Sequence, residues 1–159
     1  MKYKIRELSQ EEVTRIPFFN DLSGYEIEML SKILNLYAFP ANHYVFNEGD
    51  RPDSLYFIME GSVKVLKNVG QKNEAPQVLA ELLSPQIFGE TAILNSASRS
   101  ASILVTSELL AVELSNFNFE KLIRTEPEIA VNIVRKIAST LSLRLREIDS
   151  IYANLIHYG

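Results

Sequence analysis

Between Asn35 and Leu114 the chain is cut into short β-prone runs by turn residues. Asn35–Phe39 leads into the breaker Pro40-Ala41-Asn42, and Tyr44-Val45-Phe46 leads into Asn47-Glu48-Gly49-Asp50. Leu55–Met59 and Ser62–Leu66 flank a turn at Glu60-Gly61-Ser62, and in the second run Val63 and Val65 share one face while Lys64 takes the other. After a polar loop from Asn68 to Pro76 come Gln77–Leu83, Ser102–Val105 and Leu109–Leu114. Strands this short, joined by Gly-bearing turns rather than crossover helices, predict an antiparallel jelly roll or barrel.

Helical patterns flank this region. Ser23 and Glu26 form a capping-box pair before Ile27, Leu30 and Leu34, so a helix is expected to near Asn35. Ser115 or Asn116 caps a short helix through Ile123. Thr125-Glu126-Pro127-Glu128 starts another, and no Gly or Pro interrupts it to about Leu155. Val131, Val134, Ala138, Leu141, Leu145, Ile148, Tyr152 and Leu155 fall on the a and d positions of a heptad, with Ile129, Ile133 and Ile137 as a second stripe. A helix of about 45 Å with two apolar faces must bury both. The second stripe is expected to pack on the barrel. The seam of Leu141, Leu145, Ile148, Tyr152 and Leu155 is expected to pair with another copy as a parallel coiled coil. Burial of both faces within a monomer is the alternative. The expected fold class is mainly β with flanking helices: a double-stranded β-helix (jelly-roll) barrel over about 36–115, N-terminal helices, and C-terminal helices over about 116–156 that end in a long dimerisation helix. One domain over 1–159 is expected.

Composition narrows the function. Net charge is −4 with no basic run, so the chain offers no electrostatic footprint for nucleic acid or an anionic membrane. There is no cysteine, and the two histidines, His43 and His157, lie far apart, so no metal site is expected. The charged start, MKYKIREL, lacks the apolar core of a signal peptide, and no segment is apolar enough to span a bilayer. The expected location is cytoplasmic.

Chemistry concentrates in residues 87–105, IFGETAILNSASRSASILV, where one acid, Glu90, and one base, Arg99, sit among small and apolar residues. They fit a structural ion pair, an acid–base pair or a ligand site. Acid–base catalysis is disfavoured, because Arg keeps its proton and no His or Cys accompanies the pair; no catalytic residue is assigned and the chain is not read as an enzyme. A ligand site fits the neighbours. Gly89 permits close backbone approach, Glu90 to Leu94 are expected to form one helical turn whose free N–H groups point at an anion, and Arg99 adds a cationic fork. Ser100 and Ala101 are small enough to seat a phosphate, and a carboxylate beside that phosphate suits a ribose 2′-hydroxyl.

This stretch resembles the phosphate-binding cassette of the cyclic nucleotide-binding domain family, which includes bacterial catabolite activators and the regulatory subunits of cyclic-AMP-dependent kinase. The pattern F-G-E-x-[AS]-[LI], a short loop, then R-[ATS]-A appears as Phe88-Gly89-Glu90-Thr91-Ala92-Ile93, Leu94 to Ser98, and Arg99-Ser100-Ala101. Ile16 to Ser23, Phe46 to Asp50 and Leu55 to Val65 also resemble the family. The resemblance implies an eight-stranded β-roll, a Glu90 contact to the ribose 2′-hydroxyl, an Arg99 contact to the cyclic phosphate, and a last helix that lids the base. It departs at Pro85, where the family usually has Gly, at Ser98, often Pro, and at Arg144-Leu145, which stand where catabolite activators offer Thr-Ser to the adenine. Arg144 and Leu145 are therefore the base-lid candidates. The expected ligand is cyclic AMP, ahead of cyclic GMP, with no metal. The chain ends at Gly159, at the close of the lid helix, so a stand-alone homodimeric sensor with an unknown protein partner and no direct DNA binding is expected. The alternatives are an interaction or dimerisation module whose pocket is empty or holds another ligand, and a truncated transcription regulator of the catabolite activator type.

Overall fold

Ser23 accepts from the Glu26 backbone N–H, and the Glu26 carboxylate accepts in return from the Ser23 N–H, so helix α2 (Gly24–Ser31) starts where the capping box placed it. The computed structural model describes residues 2–70, 74–95 and 97–158, Tyr158 by its backbone alone. The middle of the expected 68–76 loop and Ser96, in the loop before Arg99, lie outside the described residues. The chain comprises two compact units, Met1–Lys121 and Leu122–Gly159.

The first unit is built on seven described strands: β1 (Tyr3–Glu7), β2 (Asn35–Phe39), β3 (Tyr44–Phe46), β4 (Ser54–Lys67), β5 (Gln77–Leu83), β6 (Ile87–Phe88) and β7 (Ser102–Ser115). All described pairings are antiparallel, in the order β1-β2-β7-β4-β5, with β3 beside β7 and β6 beside β4. The ladder ends at β1 and β5 and does not close on itself. The expected barrel of eight strands is thus an open sheet of seven among the described residues. Strands β3 and β6, three and two residues long, each cover only part of a neighbour.

Two expected strand pairs are each one long strand. Glu60-Gly61-Ser62 does not end β4; the register shifts there while pairing with β7 continues from Ser54↔Ser115 to Leu66↔Ser102. Gly61 adopts φ +87°, which puts an irregularity in the strand without reversing it. Opposite, Thr106-Ser107-Glu108 stays within β7, and the Thr106 and Ser107 hydroxyls bond the Ser62 hydroxyl at 2.7 and 3.1 Å. Strand β1 is short and exposed along all five residues, and its alternation, Tyr3 and Ile5 against Lys4 and Arg6, is too brief to mark a strand by itself. It is held by β2 and by a bidentate Arg6–Glu12 pair that ties it to α1 (Gln10–Thr14).

The core lies between the strands: Phe39, Tyr56, Ile58, Val63, Leu82, Phe88, Ile103, Val105, Leu109 and Ala111 form one buried cluster. An aromatic row crosses it, with ring centroids 6.0 Å apart for Phe46–Phe88, 5.1 Å for Phe88–Tyr56 and 5.9 Å for Tyr56–Phe39. One-turn helix α3 (Thr91–Leu94) follows β6, and α4 (Asn116–Thr125) follows β7.

The second unit is dominated by α5, Pro127–Tyr158, which runs uninterrupted as its sequence predicts. The stripe Ile129, Ile133 and Ile137 is buried. The heptad seam is not: Leu141 is half-buried, and Leu145, Ile148, Tyr152 and Leu155 are exposed, with Ile151 and Ile156 beside them.

Candidate functional site

Tyr56 pairs with Phe88 and Phe57 with Ile87, so β6 delivers residue 89 to the side of β4 near Ser54. Gly89 has φ +82°, and a Cβ there would stand 2.8 Å from the Ser54 carbonyl oxygen and 2.9 Å from Arg99 Nη1. Both the backbone angle and the packing demand glycine. The chain then turns into α3, where the Gly89 carbonyl accepts from Ala92 N–H and the Glu90 carbonyl from Ile93 and Leu94 N–H. Asn116 Nδ2 donates to the Ala92 carbonyl at 2.5 Å and fastens this turn to the start of α4.

Arg99 lies beside this turn with 2% exposure. Its backbone is clamped to the 47–50 turn: Arg99 N–H donates to the Asp50 carbonyl at 2.9 Å, and Gly49 N–H donates to the Arg99 carbonyl at 2.8 Å. In the side chain, Nη1 donates to the Gly89 carbonyl at 2.9 Å, and Nη2 donates to the Ser54 carbonyl at 2.8 Å and to Asp53 Oδ1 at 3.0 Å. The guanidinium carbon sits 3.9 Å from the Phe46 ring centre. Among the described residues Nε finds no acceptor. Burial pushes the guanidinium below its ordinary value, while the Asp53 carboxylate, and less strongly that of Glu90, pull it back up. Arginine remains a cation at neutral pH under such opposition. The ion-pair partner of Arg99 is thus Asp53, whose side chain is 70% exposed.

Behind Ser54 lies a second buried charge. Glu113 Oε1 accepts from Ser54 Oγ at 2.8 Å, from the Tyr56 hydroxyl at 3.1 Å and from Lys2 Nζ at 2.5 Å. Lys2 Nζ also lies 4.5 Å from the Tyr37 ring centre. Burial alone would raise the Glu113 carboxyl, but the bonds from Lys2, Ser54 and Tyr56 outweigh it and hold the group below the usual carboxylate range. A carboxyl lowered in the fold stabilises it above the unfolded value of about 4.3 and loses that contribution as pH falls through the folded value. Thermal melting should therefore drop from neutral pH to about pH 3, and Glu113→Gln should flatten that drop while lowering the neutral melting temperature. An identical acid limb in the variant would assign the loss to other carboxylates.

The remaining expected residues fall as follows. Glu90, Thr91 and Ala101 are half-buried, Ala92 is buried, and Ser100 is exposed, with its carbonyl accepting from Lys67 Nζ at 2.7 Å. Gly89, Glu90 and Arg99 therefore converge in the first unit. Arg144, half-buried, and Leu145, exposed, belong to α5 in the second. Pro85 occupies the exposed turn between β5 and β6. Among the described residues no cluster of three or more His, Asp or Glu is arranged to hold a metal ion, and no helix is long and apolar enough to cross a membrane.

The family model "Cyclic nucleotide-binding domain" matches residues 37–126, from β2 through α4 and across the whole Gly89–Arg99 cassette. The chain belongs to the cyclic nucleotide-binding domain family. It is 31% identical over 147 residues to the CRP-like cAMP-activated global transcriptional regulator of Mycobacterium tuberculosis, covering 92% of this chain and 62% of that one. It is 29% identical over 133 residues to the Cyclic AMP receptor protein of Thermus thermophilus, covering 84% of this chain and 59% of that one. The chain thus spans about three-fifths of the length of these relatives. A solved cyclic nucleotide-binding domain from Methylobacillus flagellatus superposes with a TM-score of 0.78 at 25% identity, over 92% of this chain and 84% of that one. The open sheet with flanking helices is therefore the fold of a cyclic nucleotide-binding domain.

Four residues of this arrangement were missed in the sequence: Phe46, Asp53, Ser54 and Glu113. Asp53 lies 46 positions from Arg99 in a polar turn, and local spacing carries no trace of their pairing. Glu113 did leave a signal, as the lone acid inside the apolar strand run LLAVELS.

Proposed function

We propose that this chain is a cytoplasmic regulatory protein, not an enzyme, that binds a cyclic nucleotide at the Gly89–Ala101 cassette, cyclic AMP ahead of cyclic GMP. The observation that carries the reading is Arg99, a nearly fully buried cation whose Nε has no acceptor among the described residues. A guanidinium has five N–H donors, and three bonds fix its position here. Burying a charge with a donor unused is costly, and an anionic phosphate oxygen relieves that cost. Glu90 stands beside it, half-buried, and fits the ribose 2′-hydroxyl; Gly89, Thr91, Ala92, Ser100 and Ala101 supply the small-residue wall. Preference for cyclic AMP is supported by the M. tuberculosis and T. thermophilus relatives, whose names specify it.

A thermal-shift series tests the assignment. Cyclic AMP should raise the melting temperature, linear 5′-AMP should do so far less, and 2′-deoxy cyclic AMP should lose most of the effect. In Glu90→Gln the penalty for removing the 2′-hydroxyl should shrink. Equal shifts with linear and cyclic nucleotide would contradict a cassette built for a cyclic phosphate.

The exposed seam of α5 supports a homodimer. Leu145, Ile148, Tyr152 and Leu155 repeat at heptad spacing on one exposed face. Sedimentation at micromolar concentration should return twice the chain mass for the wild type and the single-chain mass for Ile148→Asp. A monomeric wild type would remove the seam from the proposal.

A further inference from the structure

We propose that Glu113 and Ser54 are positioning residues for Arg99, which fix the plane in which its guanidinium meets the ligand phosphate. This rests on the Arg99 reading above. Ser54 is 2% exposed and is held on both its polar sides. Its hydroxyl donates to Glu113 at 2.8 Å, and its carbonyl accepts from Arg99 Nη2 at 2.8 Å. Glu113 is itself 5% exposed and sits opposite Tyr56 across the β4–β7 ladder, two residues along from Ser54. One carboxylate oxygen therefore collects the Ser54 hydroxyl, the Tyr56 hydroxyl and the Lys2 ammonium.

A carboxylate buried in a sheet is costly unless it is well paired. An apolar residue opposite Tyr56 would serve packing as well. What the carboxylate adds is direction. It gives the Ser54 hydroxyl one charged acceptor and so selects one rotamer, which braces the 53–54 backbone. That backbone presents both acceptors of Arg99 Nη2, the Ser54 carbonyl and the Asp53 side chain. With Nη2 doubly held and Nη1 on Gly89, rotation of the guanidinium plane is blocked and Nε keeps a single heading. The aromatic row Phe46–Phe88–Tyr56 links the two charges on the core side, because Phe46 underlies Arg99 and Tyr56 donates to Glu113.

The test uses two readouts on the full chain: cyclic AMP affinity by calorimetry, and the Arg99 Nε–H resonance in nucleotide-free protein, assigned by its loss in Arg99→Lys. Ser54→Ala should weaken binding by about tenfold, the worth of one charge-assisted hydrogen bond, and move the resonance. Ser54→Thr, which keeps the hydroxyl, should restore both, and Glu113→Gln should fall between. In a protein whose Arg99→Leu variant has lost binding, either readout unchanged in Ser54→Ala overturns the positioning role while nucleotide binding stands. A wild type that takes no cyclic AMP overturns the underlying reading instead. The nucleotide-free resonance then decides positioning alone: moved supports it, and unmoved overturns it.

Discussion

Arg99→Leu is expected to lower cyclic nucleotide affinity by about ten- to a hundredfold, the 1.5–3 kcal/mol of a hydrogen bond to a charged group. Leucine matches the burial of the site but supplies no donor to a phosphate. It also strips donors from the Gly89 and Ser54 carbonyls and leaves Asp53 without its cation, so some stability is lost as well. Calorimetric titration at a temperature well below the variant's melting point separates the two effects. Arg99→Lys sharpens the comparison. It keeps the charge and loses the planar fork, so it should recover part of the stability and little of the affinity. Affinity unchanged in Arg99→Leu would place the phosphate elsewhere.

Gly61→Ala should be the most damaging small substitution in the sheet. An added Cβ would stand 2.1 Å from the Glu108 carbonyl oxygen, 2.9 Å from its carbon and 3.0 Å from Leu109 Cα. All three are backbone atoms of β7 and none can swing away, so the strands must part where the register shifts. The φ of +87° adds strain of about 1–3 kcal/mol. Together these should remove several kcal/mol from a total of about 5–15. Gly49→Ala is the control. Its φ is similar, +86°, but nothing lies within 4 Å of the added carbon, so it should lose only the strain. Urea unfolding of the two variants measures the difference. Equal midpoints would mean that β4 and β7 yield at Gly61 without cost.

Much of this was legible because it is local. The capping box at Ser23, the start of α5 at Pro127 and the one-turn helix after Glu90 each depend on residues within a few positions of one another. The Gly89-to-Arg99 cassette is local in the same way, and the structure brings its two ends to 2.9 Å at the Gly89 carbonyl. What escaped depends on register. Whether Glu60-Gly61-Ser62 ends a strand or kinks one is decided by β7, some 45 residues downstream, which continues past it. The partner of Arg99 escaped for the same reason, since Asp53 reaches it only through the β4–β6 and β4–β7 pairings. The lone-acid signal at Glu113 was present in the sequence, but nothing local tells a buried network from a solvated strand residue.

The central claim is that Arg99, Glu90 and the turn between them form a cyclic nucleotide site. Isothermal titration of the wild-type chain with cyclic AMP and with cyclic GMP tests it most directly. A saturable heat at one nucleotide per chain, tighter for cyclic AMP and lost in Arg99→Leu, is the predicted result. No heat and no thermal stabilisation at millimolar concentrations of either nucleotide would contradict it.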